Sequence, residues 1–315
     1  MFEDGFCGVP EMADRVLRAA IEGGADRVEA HENLSVAAIC FARAGMFGRA
    51  REVAAEATKQ AAGLGSHRAL HAGAAETVAL APGGEFERLR RATDRIEVHA
   101  LEEGDRTCAT GMVALAGRAL SLFETGNSDA AADTIAVLDR FIPSAWGFRS
   151  FGHPVAELLR PVVGPDEGRR RLDAVLYPRR DATATINRLR VEIPARAVAS
   201  EWAALETLTA EARGLSQSAC APVIGWVADW AEAALLARAG HHGEAAEAAL
   251  AAAAEIDRYG EGYTAARLLV DLLPMLNAPA AEAVARRAIG ALEAMGARAS
   301  AAEARAAFGA GLPLR

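Results

Sequence analysis

Gly45-Met-Phe-Gly-Arg-Ala50, Gly84-Glu-Phe-Glu-Arg-Leu89, Gly126-Asn-Ser-Asp-Ala-Ala131, Ser200-Glu-Trp-Ala-Ala-Leu205 and Gly240-His-His-Gly-Glu-Ala245 follow one grammar. Each opens on a small residue, usually carries an aromatic two positions later, and places a small or apolar residue five positions later. The successive spacings are 39, 42, 74 and 40 residues. The longest is about twice a repeat of roughly 37, so one degenerate copy falls inside it. A period of that size marks stacked helical pairs, each burying its apolar face only against its neighbours. The expected fold is all-α, a right-handed α-solenoid of about seven helical hairpins.

Composition agrees with helices. Alanine makes up about a quarter of the chain and has the best intrinsic helix propensity, and its small side chain lets helices approach closely. Val, Ile and Thr form few alternating runs, so no sheet is expected. The expected pairs are 28–44 with 46–63, 67–81 with 85–101, and 107–125 with 128–141. Helix 10–23 reads as the second half of a pair whose first half is missing. Residues 142–153 read as a long connection before short helices at 154–162 and 165–176, with a further break at Tyr177-Pro-Arg-Arg-Asp181. Regularity returns with 182–199 and 201–213, 218–239 and 241–257, then 261–276 and 279–295, and a last helix at 298–308. Pro194 lies inside its helix and is expected to kink it. The chain therefore divides into N-terminal repeats (1–141), an irregular central segment (142–180) and C-terminal repeats (181–315) of one continuous solenoid.

The turns resemble tetratricopeptide repeats. In that family the turn glycine is followed by an aromatic two positions on and an alanine five on, and a small residue sits seven before it. Ala38, Ala119 and Ala233 fill that last slot, and Phe41 and Leu122 fill the bulky slot four before the glycine. The periods here run from about 36 to 42 against the family's 34, and its opening tryptophan and closing proline are mostly absent. The segment from Ala285 to Arg305 looks like the closing repeat of large actinobacterial signalling proteins, and Ile224 to Ala245 is similar too. Those proteins couple an ATPase to a helical-repeat domain and either an adenylate cyclase or a LuxR-type DNA-binding domain. No G-x-x-x-x-G-K-[ST] loop, cyclase or C-terminal DNA-binding helix-turn-helix is found. The resemblance therefore implies the sensor or scaffold part alone.

Net charge is −8, and the only lysine is Lys59 among 34 basic residues. Nucleic-acid binding needs a basic face that releases counterions, so the overall balance speaks against it. Nine arginines between 160 and 196 face five carboxylates in the same stretch. That mildly basic middle reads either as a site for an acidic partner or as a solvated face. Arginine over lysine, with so much alanine, suggests a GC-rich bacterial genome. The four cysteines, Cys7, Cys40, Cys108 and Cys220, are scattered and read as reduced thiols. The N-terminus lacks a signal-peptide pattern and no long uncharged apolar run occurs, so a cytoplasmic protein without a membrane span is expected.

Two aromatic groups are candidate ligand-binding residues. Trp146, Phe148, Arg149, Phe151 and His153 cluster in a chain poor in aromatics, where rings give area and an arginine gives forked donors for a flat or anionic ligand. The alternative is that they fill the gap where the repeat becomes irregular. Trp226 and Trp230 are one helical turn apart and either line a groove or pack in the core, and Arg190 joins this candidate set. Trp202 occupies the slot of Phe47 and Phe86 and reads as core. His67 and His71, at i and i+4, can present two imidazoles to one metal. However, a site needs three or four ligands, Glu76 is not on their face, and no cysteine is near in sequence. No metal, cofactor or catalytic set is assigned. The expected function is a scaffold or regulatory module of bacterial signalling or transcription control that holds a protein or peptide in a concave groove. The alternative is a small-molecule sensor with an aromatic pocket at the central irregular repeat. A homodimer formed through an alanine-rich end helix is compatible with both.

Overall fold

The computed structural model describes residues 9–22, 26–141, 147–173, 182–218 and 222–310. Among these residues every regular element is a helix and there is no strand. The chain forms two compact units, residues 1–81 with 85–181, and residues 82–84 with 182–315.

The first unit holds α1 (Val9–Glu22), α2 (Arg27–Arg43), α3 (Phe47–Ala61), α4 (Ser66–Leu80), α5 (Phe86–Thr93), α6 (Ala109–Glu124), α7 (Ser128–Leu138), α8 (Gly147–Val163) and α9 (Pro165–Asp173). The second holds α10 (Ala182–Val198), α11 (Trp202–Ser218), α12 (Pro222–Arg238), α13 (His242–Arg258), α14 (Gly262–Leu272), α15 (Ala278–Ala294) and α16 (Arg298–Ala310). Most helices pack on their successors; α7 and α8 instead both pack on α6, and several helices also pack on the next but one: α2 on α4, α4 on α6, α6 on α8, and α10 on α12.

The recurring turn has one hydrogen-bond pattern. At Gly45, Gly126, Ser200, Gly240, Gly260 and Gly296 the turn N–H donates to the carbonyl three residues back. The next N–H donates to the carbonyl five back, all at 2.8–3.1 Å. This Schellman closure satisfies carbonyls that a helix end leaves open, and it needs a left-handed residue at its centre. All six have positive φ, including Ser200 at 58°. The residue five positions after the centre is buried in every case. Asp26 caps α2, accepting from the Val28 and Glu29 N–H groups at 2.9 Å, and Asn277 caps α15.

Small residues set the core spacing. Where α4 meets α6, Gly73 faces Ala114 and Gly117 faces Thr77, with Leu70, Leu115, Phe141 and Leu159 packed around that contact. In the second unit Trp230 is the largest fully buried side chain.

Two expectations differ from the structure. Helix 85–101 stops at Thr93, whose hydroxyl bonds the Leu89 and Arg90 carbonyls; the chain then turns to bury Ile96 and Leu101. The expected connection 142–153 is helical from Gly147 onward, and α8 runs through Pro154 and Pro161. Each interior proline removes a helix bond, and burial of Val155 and Leu159 against α6 offsets that cost.

Candidate functional site

A cluster of polar and metal-ligating side chains lies at the start of α4. The His67 and His71 rings lie one turn apart, tilted by 51° with centroids 4.7 Å apart. Opposite them a short 3-10 turn, Asp105–Thr107, leads into Cys108, the residue that caps α6. The Cys108 Sγ accepts the Gly111 N–H at 3.4 Å and lies 3.3 Å from His71 Nε2. Asp105 is buried. Its Oδ1 is 3.1 Å from His67 Nδ1, and its Oδ2 accepts the Ser66 hydroxyl at 2.8 Å and the Glu102 N–H at 2.9 Å.

The electrostatics follow from this enclosure. Burial would raise the Asp105 carboxyl, but the Glu102 N–H, the Ser66 hydroxyl and His67 outweigh it and hold it below its usual range. Burial, with the charges of His67, His31 and Arg68, pulls His71 down to about 4, so its imidazole is neutral near pH 7. Burial pushes the Cys108 thiol up. One ligand atom each from His67, His71 and Cys108 lies within 4.8 Å of the other two. Among the described residues these are the ones that could hold a metal.

The residues expected to bind a ligand are placed as follows. Trp146 lies outside the described residues. Phe148, Arg149 and Phe151 fall on α8, with side chains outside the description, and His153 is buried on the same helix. Trp230 is fully buried and its indole N–H donates to the Leu268 carbonyl at 2.8 Å. Trp226 is half-buried and meets Tyr259 edge-on at 5.5 Å. Arg190 on α10 forks onto Glu261, which is 2 % exposed, with one bond of 2.9 Å. Trp202 is half-buried beneath the Arg238 guanidinium at 5.4 Å.

Several arginines of the 160–196 stretch are held by carboxylates: Arg171 by Asp139 and Glu167, Arg188 by Glu192 and Glu211, and Arg196 by Glu201. Arg179 and Arg180 lie outside the described residues.

Hollows are also found among the described residues of the first unit. One, of about 310 Å³, is walled by the end of α3, the start of α4 and the segment after α5, through residues such as Thr58, Gly65, Ser66, Ala72 and Arg95. Another is an open groove of about 570 Å³ among α1, α2 and α3, lined by residues that include Leu17, Ile21, Arg49, Glu52 and Val53.

No family model, curated protein or solved structure matched the chain. Sequence reasoning missed Cys108 and Asp105. They are 37 and 38 residues from their histidine partners, and only the packing of α4 against α6 brings them together.

Proposed function

We propose that the chain is a protein- or peptide-binding scaffold, a cytoplasmic regulatory module of bacterial signalling or transcription control. Within each unit its helices form tetratricopeptide-like hairpins of a right-handed α-solenoid. The observation that carries this reading is the recurrence of one Schellman turn at six positions, with a buried small or apolar residue five positions after each. The contacts between helices two apart are those expected of repeats that stack on their neighbours. Such arrays present extended concave surfaces, which is the property a scaffold uses, and this step from fold to function is an analogy. Among the described residues no helix is long and apolar enough to cross a membrane.

The test is capture with the immobilised full chain from a native bacterial lysate, followed by hydrogen exchange of the complex. The expected result is a reproducible partner that protects helices α4, α6 and α8 or α10, α12 and α14. Repeated capture that returns no specific partner would count against the scaffold. The alternative, a small-molecule sensor, rests on the aromatic density between Phe141 and His153. Native mass spectrometry separates the two, because a retained metabolite would lift the mass above the 32.9 kDa of the chain.

A further inference from the structure

We propose that His67, His71 and Cys108 form a binding site for one transition-metal ion of the zinc class. Two imidazoles and one thiolate suit zinc and its borderline neighbours and are poor ligands for magnesium or calcium. Zinc holds nitrogen at about 2.0–2.1 Å and sulfur at about 2.3 Å, so tetrahedral ligands sit roughly 3.5 Å from one another. His71 Nε2 and Cys108 Sγ are already 3.3 Å apart. The third donor, on His67, lies within 4.8 Å of both, so small rotations of the side chains close the set.

The outer layer is built in the manner metal sites use. A metal-bound histidine usually gives its other ring nitrogen to a carboxylate, which fixes the tautomer and orients the ring. Asp105 stands at His67 Nδ1 and leaves Nε2 as the ligating atom. Asp105 is itself fixed by Ser66 and by the Glu102 N–H. The thiolate formed at Cys108 is stabilised at the N-terminus of α6, where the Gly111 N–H already points at the sulfur. On binding, the metal–sulfur bond forms as the thiol proton leaves to solvent. The ion's two positive charges then face one thiolate and the Asp105 carboxylate, so the buried group is close to neutral.

Without an ion the same residues make a poor nucleophile, because burial raises the thiol and the adjacent imidazole is neutral. Three protein ligands leave the fourth position for solvent or an exchangeable group, and the 38 % exposure of His67 leaves that side accessible. Because His67 and His71 belong to α4 and Cys108 opens α6, the ion would pin the whole α5–α6 connector to the adjacent repeat.

The test uses the full chain, stripped with chelator, kept reduced and titrated with Co²⁺. The expected result is one cobalt per chain, with a thiolate-to-cobalt charge-transfer band in the near-ultraviolet and the strong visible bands of four-coordinate cobalt, both erased by Zn²⁺. Cys108→Ser should remove the charge-transfer band while Cys40→Ala keeps it. Asp105→Asn should keep the band and weaken binding by about 10–100-fold. Circular dichroism confirms that each variant is folded, and the Asp105 variant decides the matter if Cys108→Ser does not fold. No charge-transfer band in the wild type, a band unchanged in Cys108→Ser, or Asp105→Asn binding as tightly as wild type would overturn the proposal.

Discussion

Gly117 on α6 faces Thr77 on α4 so closely that a Cβ at position 117 would come within 2.8 Å of the Thr77 Cβ. One turn toward the start of α4, a Cβ at Gly73 would meet Ala114 at 3.1 Å. The Thr77 hydroxyl is turned back onto the Gly73 carbonyl at 2.7 Å, so its polar end is satisfied inside the contact. The helices α4 and α6 thus meet through small residues.

Gly117→Ala should therefore destabilise the first unit by about 2 kcal/mol, because the added methyl must displace Thr77 in a contact with no slack. Urea unfolding followed by circular dichroism measures this. An unchanged midpoint would mean that α4 and α6 are not in direct contact.

Ser200→Gly should stabilise the second unit by about 1 kcal/mol. Ser200 holds φ at 58°, a conformation that costs an L-residue with a Cβ and that glycine adopts freely. Gly240→Ala, at the equivalent turn, should lose a similar amount. Thermal unfolding of both variants reads the opposite signs.

Those turns show what was legible in the sequence. Ser200 stands where other repeats have glycine, and the register alone placed it at a turn. The helical ends near 43, 124 and 238 followed from the same grammar. The sequence was misleading before Pro154, which reads as the first residue of a helix 154–162, whereas α8 already begins at Gly147. It was silent on Trp226 and Trp230. Helical spacing puts them on one face, but only the approach of the Leu268 carbonyl decides that Trp230 is core. The pairing of His71 with Cys108 was illegible because no local spacing encodes the offset between α4 and α6.

Arg190→Ala should destabilise the second unit by about 3 kcal/mol, since it leaves the buried Glu261 carboxylate without its forked partner. The double variant Arg190→Leu with Glu261→Leu should recover much of that loss. Chemical denaturation of the set measures both. A fully stable single variant would free Arg190 for the ligand-binding role expected from sequence.

Stability should also respond to pH through Glu76. Its carboxyl is buried, accepts the Thr58 hydroxyl at 3.1 Å, and is raised by burial above 4.5. A raised folded-state value means that its contribution is fully present below 4.5 and is lost as pH rises through the folded value. Glu76→Gln should therefore be more stable than wild type at neutral pH, with the gap closing in acid. His31 carries the opposite sign: burial lowers it from 6.5, so its contribution is lost as pH falls below that value. Denaturation midpoints of wild type, Glu76→Gln and His31→Gln across the acid range separate the two slopes.

The repeat architecture itself is tested most directly by hydrogen exchange on Ala245→Asp. Ala245 is fully buried on α13, five residues after the Gly240 turn, and an aspartate there buries an unpaired charge. Repeats stabilised only by their neighbours should lose protection in α12, α13 and α14 while α2, α4 and α6 keep theirs. Protection lost evenly across both units, or unchanged in α12 to α14, would contradict a stack of helical repeats.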